Sequence, residues 1–111
     1  MTVSYFVFYQ GVAENNDEFE AHYRTKHAAI LATFPGLLDL RIHRSINWDE
    51  SQAVTKGGFL LIAEMIFPDQ KTMETAIASP ERAFAREDFE NFIAFDGKIW
   101  HQAMKKVDDK V

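Results

Sequence analysis

Apolar and polar positions fall into distinct registers along the 111 residues of this chain. Val3 to Tyr9 is almost wholly β-branched and aromatic and stops at Gln10-Gly11, a run too short for a helix, so it predicts a first, buried strand. From Asp17 the period changes. Asp17 with Glu20 three residues on makes a capping-box pattern, and Phe19, Tyr23, His27, Ile30 and Phe34 recur at helical spacing until Pro35, which disfavours helical geometry in its predecessor. Within Leu37 to Ile46, the residues Leu38, Leu40 and Ile42 alternate with Asp39, Arg41 and His43, as in a strand covered on one side. A polar connection, Asn47 to Gly58, leads to Phe59 to Phe67, which is nearly all apolar and reads as a central strand. Pro68-Asp69 opens a short helix through Met73, Ile77 and Ala78. Ser79 as cap, with Pro80 at the first helical position, starts another whose inward stripe reads as Phe84, Phe92 and Phe95. Asp96-Gly97 reads as the turn into a last strand through Ile99, Trp100 and Ala103.

The order strand, helix, strand, strand, helix, strand predicts an α+β, ferredoxin-like βαββαβ fold: a four-stranded antiparallel sheet with its helices on one face. The length suits one domain spanning residues 1–111, with no internal repeat or linker. The other sheet face would be bare and mostly apolar. A second copy is the usual cover for such a face, which predicts a homodimer in which two sheets close an α/β barrel.

Composition narrows the possible partners. Apolar residue types make up 47% and aromatics 14%, with ten Phe, more bulky apolar material than a minimal core demands, so some is available to line a pocket or an interface. The net charge of -5 and the absence of a Lys/Arg run argue against nucleic acid. Without cysteine there is no disulfide framework, thiolate metal site or cysteine nucleophile, which is compatible with a reducing cytoplasm. No basic segment precedes the first apolar residues and no apolar run approaches the roughly 20 residues of a membrane span, so the expectation is a soluble, cytoplasmic protein away from membranes.

The chemistry centres on His27. At about 100° per residue it shares an arc of about 80° with the apolar stripe of its helix, so it points inward, whereas His22 lies about 140° away and cannot join it in clamping a metal from one face. Burial favours the neutral imidazole, able to accept a proton near neutral pH. Spacing alone leaves open whether His27 is such a base or a core histidine bonded to a carbonyl or to Tyr23. Glu64 interrupts an apolar strand, so its carboxylate is either at the surface or buried where it could orient His27. Asp88 falls on the apolar arc of the later helix and is a second carboxylate candidate. His43 shares a polar strand face with Asp39 and Arg41, and His101 beside Trp100 could line a cavity wall. There is no Gly-x-Gly-x-x-Gly after a strand, Lys56-Gly57-Gly58 lacks phosphate-loop spacing, and no serine sits in a nucleophile elbow.

The run Phe19-x-x-His22-Tyr23-x-x-x-His27 leading to Pro35-Gly36-Leu37, with the strand end Glu64 to Phe67 in this order of elements, resembles the EthD-like family of dimeric α/β-barrel proteins. The resemblance spans nearly the whole chain. Relatives on that scaffold include cofactor-free isomerases of methylated lactones, polyketide cyclases, monooxygenases that need neither flavin nor metal, and proteins without a known activity. It implies that the family's helix histidine corresponds to His27 and its neighbouring aromatic to Tyr23. The resulting expectation is a small enzyme, with no cofactor predicted, that acts on an aromatic, lactone or polyketide-like molecule through acid and base chemistry at His27, Tyr23 serving a developing oxyanion. The alternatives are a non-catalytic dimer that binds a small apolar ligand or assists a pathway, and haem ligation by a lone histidine, for which the chain is short.

Overall fold

The strands β1 (Val3–Ala13), β2 (Asp39–Arg44), β3 (Phe59–Phe67) and β4 (Phe95–Lys105) form one sheet in the order β2-β3-β1-β4, every neighbouring pair antiparallel. A computed structural model describes residues 1–108. The helical stretch over residues 16–31, α1, joins β1 to β2, while α2 (Gln70–Ile77), α3 (Pro80–Asp88) and a 3-10 turn at Phe89–Asn91 join β3 to β4. This is the ferredoxin-like α+β arrangement that the element order predicts. Among the described residues no helix is long and apolar enough to cross a membrane.

Strand alternation divides the sheet into two faces. Val3, Tyr5, Val7 and Tyr9 of β1 are buried on one face with Leu61, Ala63, Met65 and Phe67 of β3, in a register that sets Tyr5 opposite Met65 and Val7 opposite Ala63. Phe19, Tyr23, Leu31 and Phe34 of the α1 region and Met73, Ala76 and Ala85 of the later helices complete that core. Phe6, Phe8, Ile62 and Ile66 on the opposite face are only half-buried, and Trp100 and Met104 are exposed.

Several boundaries differ from the sequence reading. Gln10-Gly11 does not end the first strand and Asp96-Gly97 is no turn: Gly11 and Gly97 stand opposite each other in the β1/β4 ladder, which continues to Ala13 opposite Phe95. A Cβ on Gly11 would meet the Asp96 carbonyl oxygen at 2.2 Å, and one on Gly97 the Gln10 carbonyl oxygen at 2.0 Å. The glycines therefore let two backbones approach within one ladder. Asn15, not Asp17, caps α1, its Oδ1 accepting from the Glu18 N–H at 3.0 Å, while Glu20 turns to Arg44 and Arg24. Phe84 is 56% exposed rather than inward. The buried side of α3 carries Ala85 and Asp88, continued by half-buried Phe89 in the turn that follows, and Phe84 lies about 90° from the middle of that arc at about 100° per residue.

Candidate functional site

The site begins with an irregular turn. Between Asn16–His22 and Ala28–Leu31, residues Tyr23–His27 form a π-helical turn in which the Ala28 N–H reaches the Tyr23 carbonyl five residues back. An i to i+5 closure widens the turn by one residue, so residues five apart come to lie on one side. The separation of His22 from His27 expected for a regular α-helix is thereby cancelled. His22 Nε2 and His27 Nδ1 both lie 2.9 Å from the same oxygen, Asp88 Oδ2, and Asn91 Nδ2 donates to Asp88 Oδ1 at 3.1 Å.

A carboxylate only accepts, so it fixes the protons on the two rings: Nδ1–H of His27 and Nε2–H of His22 donate to it. That leaves Nε2 as the lone-pair nitrogen of a neutral His27. His27 is 2% exposed, yet its Nε2 has no hydrogen bond among the described residues, and no fully buried side-chain nitrogen or oxygen there lacks a partner. Nε2 therefore opens onto free space. That space is a cavity of about 250 Å³ between α1, α3 and the sheet, lined by Tyr9, Tyr23, His27, Phe34, Met65 and Phe89 among others.

Burial pushes the His27 pKa below its ordinary 6.5, against the upward pull of the Asp88 hydrogen bond and charge, and His22 adds to the depression. Burial acts to raise the Asp88 pKa, but hydrogen bonds from Asn91, His27 and His22 outweigh it and hold the carboxyl below its usual range. The Tyr9 hydroxyl donates to the Tyr23 oxygen at 3.2 Å, and burial drives both phenols well above their ordinary pKa, so both stay neutral donors. Phe92 packs against His22 and His27 at ring-centroid distances of 4.3 and 5.1 Å and walls the histidine pair.

A second polar cluster lines the same cavity. Arg82 Nη2 donates to the Tyr5 hydroxyl at 3.1 Å, and that hydroxyl lies 2.8 Å from His101 Nδ1. Burial, then the charges of Arg82 and Arg86, lower the His101 pKa below its ordinary value.

The sequence-derived candidates thus separate. His27, Tyr23, Asp88 and His101 lie on the helix side of the sheet. Glu64 and His43 lie on the other side, where Glu64 accepts from Ser4 Oγ at 3.0 Å and His43 Nε2 approaches it at 3.4 Å. Register explains this: Glu64 pairs with Phe6 and Arg41, one step out of phase with the buried Ala63 and Met65, so it cannot orient His27. Asp88 does so instead. Sequence reasoning missed His22, Asn91, Tyr5, Tyr9 and Arg82. For Tyr5 and Tyr9 the signal was present, because strand alternation aligns them on one face; for His22 a regular helical projection pointed the wrong way. Among the described residues no group of three or more His, Asp or Glu side chains is arranged to hold a metal ion.

The site carries a pH signature in stability. Between its lowered folded pKa and its ordinary 6.5, His27 takes up a proton in the unfolded chain and not in the folded one, so stability falls as pH drops below about 6.5. His101 acts in the same direction with a smaller share, being more exposed. Asp88, with its lowered folded pKa, adds a loss that starts below about 3.8 and runs down through that folded value. Melting temperatures recorded from pH 8 to 4 should decline, and His27→Gln should flatten the upper part of the decline. An unchanged pH profile in that variant would contradict the ionisation state assigned to His27.

Comparison with known proteins agrees with this architecture. An EthD family protein from Bacillus halodurans superposes with a TM-score of 0.77 at 21% identity over 96% of this chain and 100% of its own. An EthD-like protein from Ralstonia eutropha gives 0.73 at 16% identity over 98% and 95%. SnoaB from Streptomyces nogalater, described as a cofactor-independent oxygenase, gives 0.66 at 16% identity over 96% and 94%. No curated protein matches the chain by sequence. The model of the EthD domain matches residues 13–96, a stretch that holds the helix histidines, Glu64 and Asp88, and the chain belongs to the EthD domain family.

Proposed function

We propose that this protein is a cofactor-free enzyme that moves a proton on an aromatic, lactone or polyketide-like molecule held between its helices and its sheet. The observation that carries this reading is the division of labour on His27: Nδ1–H is held by Asp88 at 2.9 Å while Nε2 opens onto the cavity. Nε2 would take a proton from a carbon or hydroxyl made acidic by an adjacent carbonyl. Asp88 would stabilise the resulting imidazolium. Because Tyr9 donates to the Tyr23 oxygen, Tyr23 keeps its own hydroxyl hydrogen for the oxyanion that forms. The family allows a small-molecule enzyme or a binding protein, and the cofactor-independent oxygenase that shares this fold is compatible with the former.

The test is a panel of aromatic lactones and hydroquinones incubated with the protein under air and under argon, with products read by mass. Oxygen-independent product means isomerisation or elimination, and oxygen-dependent product means oxidation. Saturable binding without product from any member of the panel would replace catalysis by a ligand-carrying role.

The same reading includes a homodimer. The face bearing Phe6, Phe8, Ile62, Ile66, Trp100 and Met104 carries much apolar surface, interspersed with polar groups such as Arg41, His43 and Glu64, and a second copy would cover it, closing a barrel of two sheets. Light scattering should give twice the mass of one chain, and Trp100→Glu should return it to the monomer value. A monomer at micromolar concentration in the parent protein would count against it.

A further inference from the structure

Three of the five arginines in the described residues are neutralised by carboxylates: Arg24 and Arg44 by Glu20, and Arg41 by Asp39. Arg82 and Arg86, one turn apart on α3, have no carboxylate partner among the described residues, and both line the cavity onto which His27 opens. In a chain of net charge -5 this is not for want of acidic residues. Arg82 is also fixed in direction. Its Nη1 donates to the Ile77 carbonyl at the end of α2 at 3.2 Å, and its Nη2 donates to Tyr5 at 3.1 Å. The Tyr5 hydroxyl, receiving that donation, can pass its own hydrogen to His101 Nδ1 at 2.8 Å, which leaves the His101 Nε2–H as a further donor. Apart from Tyr9, Tyr23 and His27, the other walls, Phe34, Met65 and Phe89 among them, are apolar.

We propose that Arg82, Arg86 and His101 form an anion-binding subsite, with Tyr5 aligning Arg82 and His101 rather than donating to the anion, and that the molecule presented to His27 is an aromatic acid whose carboxylate docks there. A guanidinium offers a planar fork of N–H donors that matches the two oxygens of a carboxylate. Arg82 is half-buried, so its pairing with an anion is screened less than at an open surface, while Arg86 and His101 stand at the exposed rim of the cavity. The ring of the acid would fill the apolar middle of the cavity, its reacting atom toward His27. The proposal rests on the reading of the cavity as a substrate site, but not on His27 acting as a base.

The test is equilibrium binding of 1-hydroxy-2-naphthoate and of its methyl ester to the full chain, read by calorimetry. The acid is expected to bind at least about ten-fold more tightly than the ester. Arg82→Met with Arg86→Met should abolish that preference, whereas the two Lys substitutions, which keep the charge but not the fork, should retain only part of it. Should Arg82→Met fail to fold, Arg86→Met, whose parent side chain makes no hydrogen bond among the described residues, must by itself reduce the preference at least about three-fold. Equal binding of acid and ester, a preference that survives the Met substitutions, or no binding of either at millimolar concentration would overturn the proposal. His27→Gln should leave the preference intact. If carboxylate selectivity holds while no acid is ever turned over, the subsite stands and the proton-transfer reading falls.

Discussion

Replacing His27 with Gln should slow turnover by about 10²- to 10⁴-fold, the contribution of a positioned acid-base group, while the melting temperature moves by no more than about 5 °C. Glutamine can still donate an amide hydrogen to Asp88 Oδ2, the bond that now holds the imidazole at 2.9 Å. It is also close in size to a ring packed between Tyr23, Phe89 and Phe92. What it lacks is a nitrogen lone pair basic enough to accept a proton near neutral pH. Single-turnover rates on a productive member of the lactone and hydroquinone panel, paired with calorimetric melting, separate the two effects. Parallel collapse of folding and rate would make His27 a structural residue of the core.

Asp88→Ala should act on both quantities at once. It strips the acceptor from His27 Nδ1–H, from His22 Nε2–H and from the Asn91 amide. The buried His27 N–H is the costly one to abandon, at about 1–3 kcal/mol, because water cannot readily replace the lost partner. His22, more open to solvent, rehydrates cheaply. The rate should fall as well, since nothing then fixes which ring nitrogen faces the cavity. The His27 pKa should drop further, because the hydrogen bond and charge of Asp88 are what oppose its depression by burial. Asp88→Asn retains an acceptor and should recover much of the stability but not the rate. Urea denaturation at pH 7 and nitrogen NMR of the imidazoles read the two effects. An alanine variant with the parent stability and the parent tautomer would contradict the role assigned to Asp88.

The fold was legible because its signals are local. Strand runs at Val3 and Phe59, the helical stripe from Phe19 to Phe34, and Ser79-Pro80 each announce an element without help from the rest of the chain. The boundaries were less so. Gly11 and Gly97 read as turn residues one at a time, and only their pairing across the β1/β4 ladder reveals why glycine is needed there. Glu64 was ambiguous for a related reason: β3 is apolar on both faces, so its alternation carries no phase, and only the register with β1 and β2 assigns Glu64 to the side away from His27.

By itself, the sequence determined the order of elements, the inward direction of Tyr23 and His27, and the family, because periodicity and short motifs are properties of neighbouring residues. The tertiary structure alone decided which groups meet. His22 and Asp88 are 66 residues apart and His27 and Asp88 are 61 apart, joined because a π turn shifts the helical phase and α3 packs beside it. Arg82 and Arg86 differ from the other arginines only in having no carboxylate within reach, and reach is a property of the folded chain.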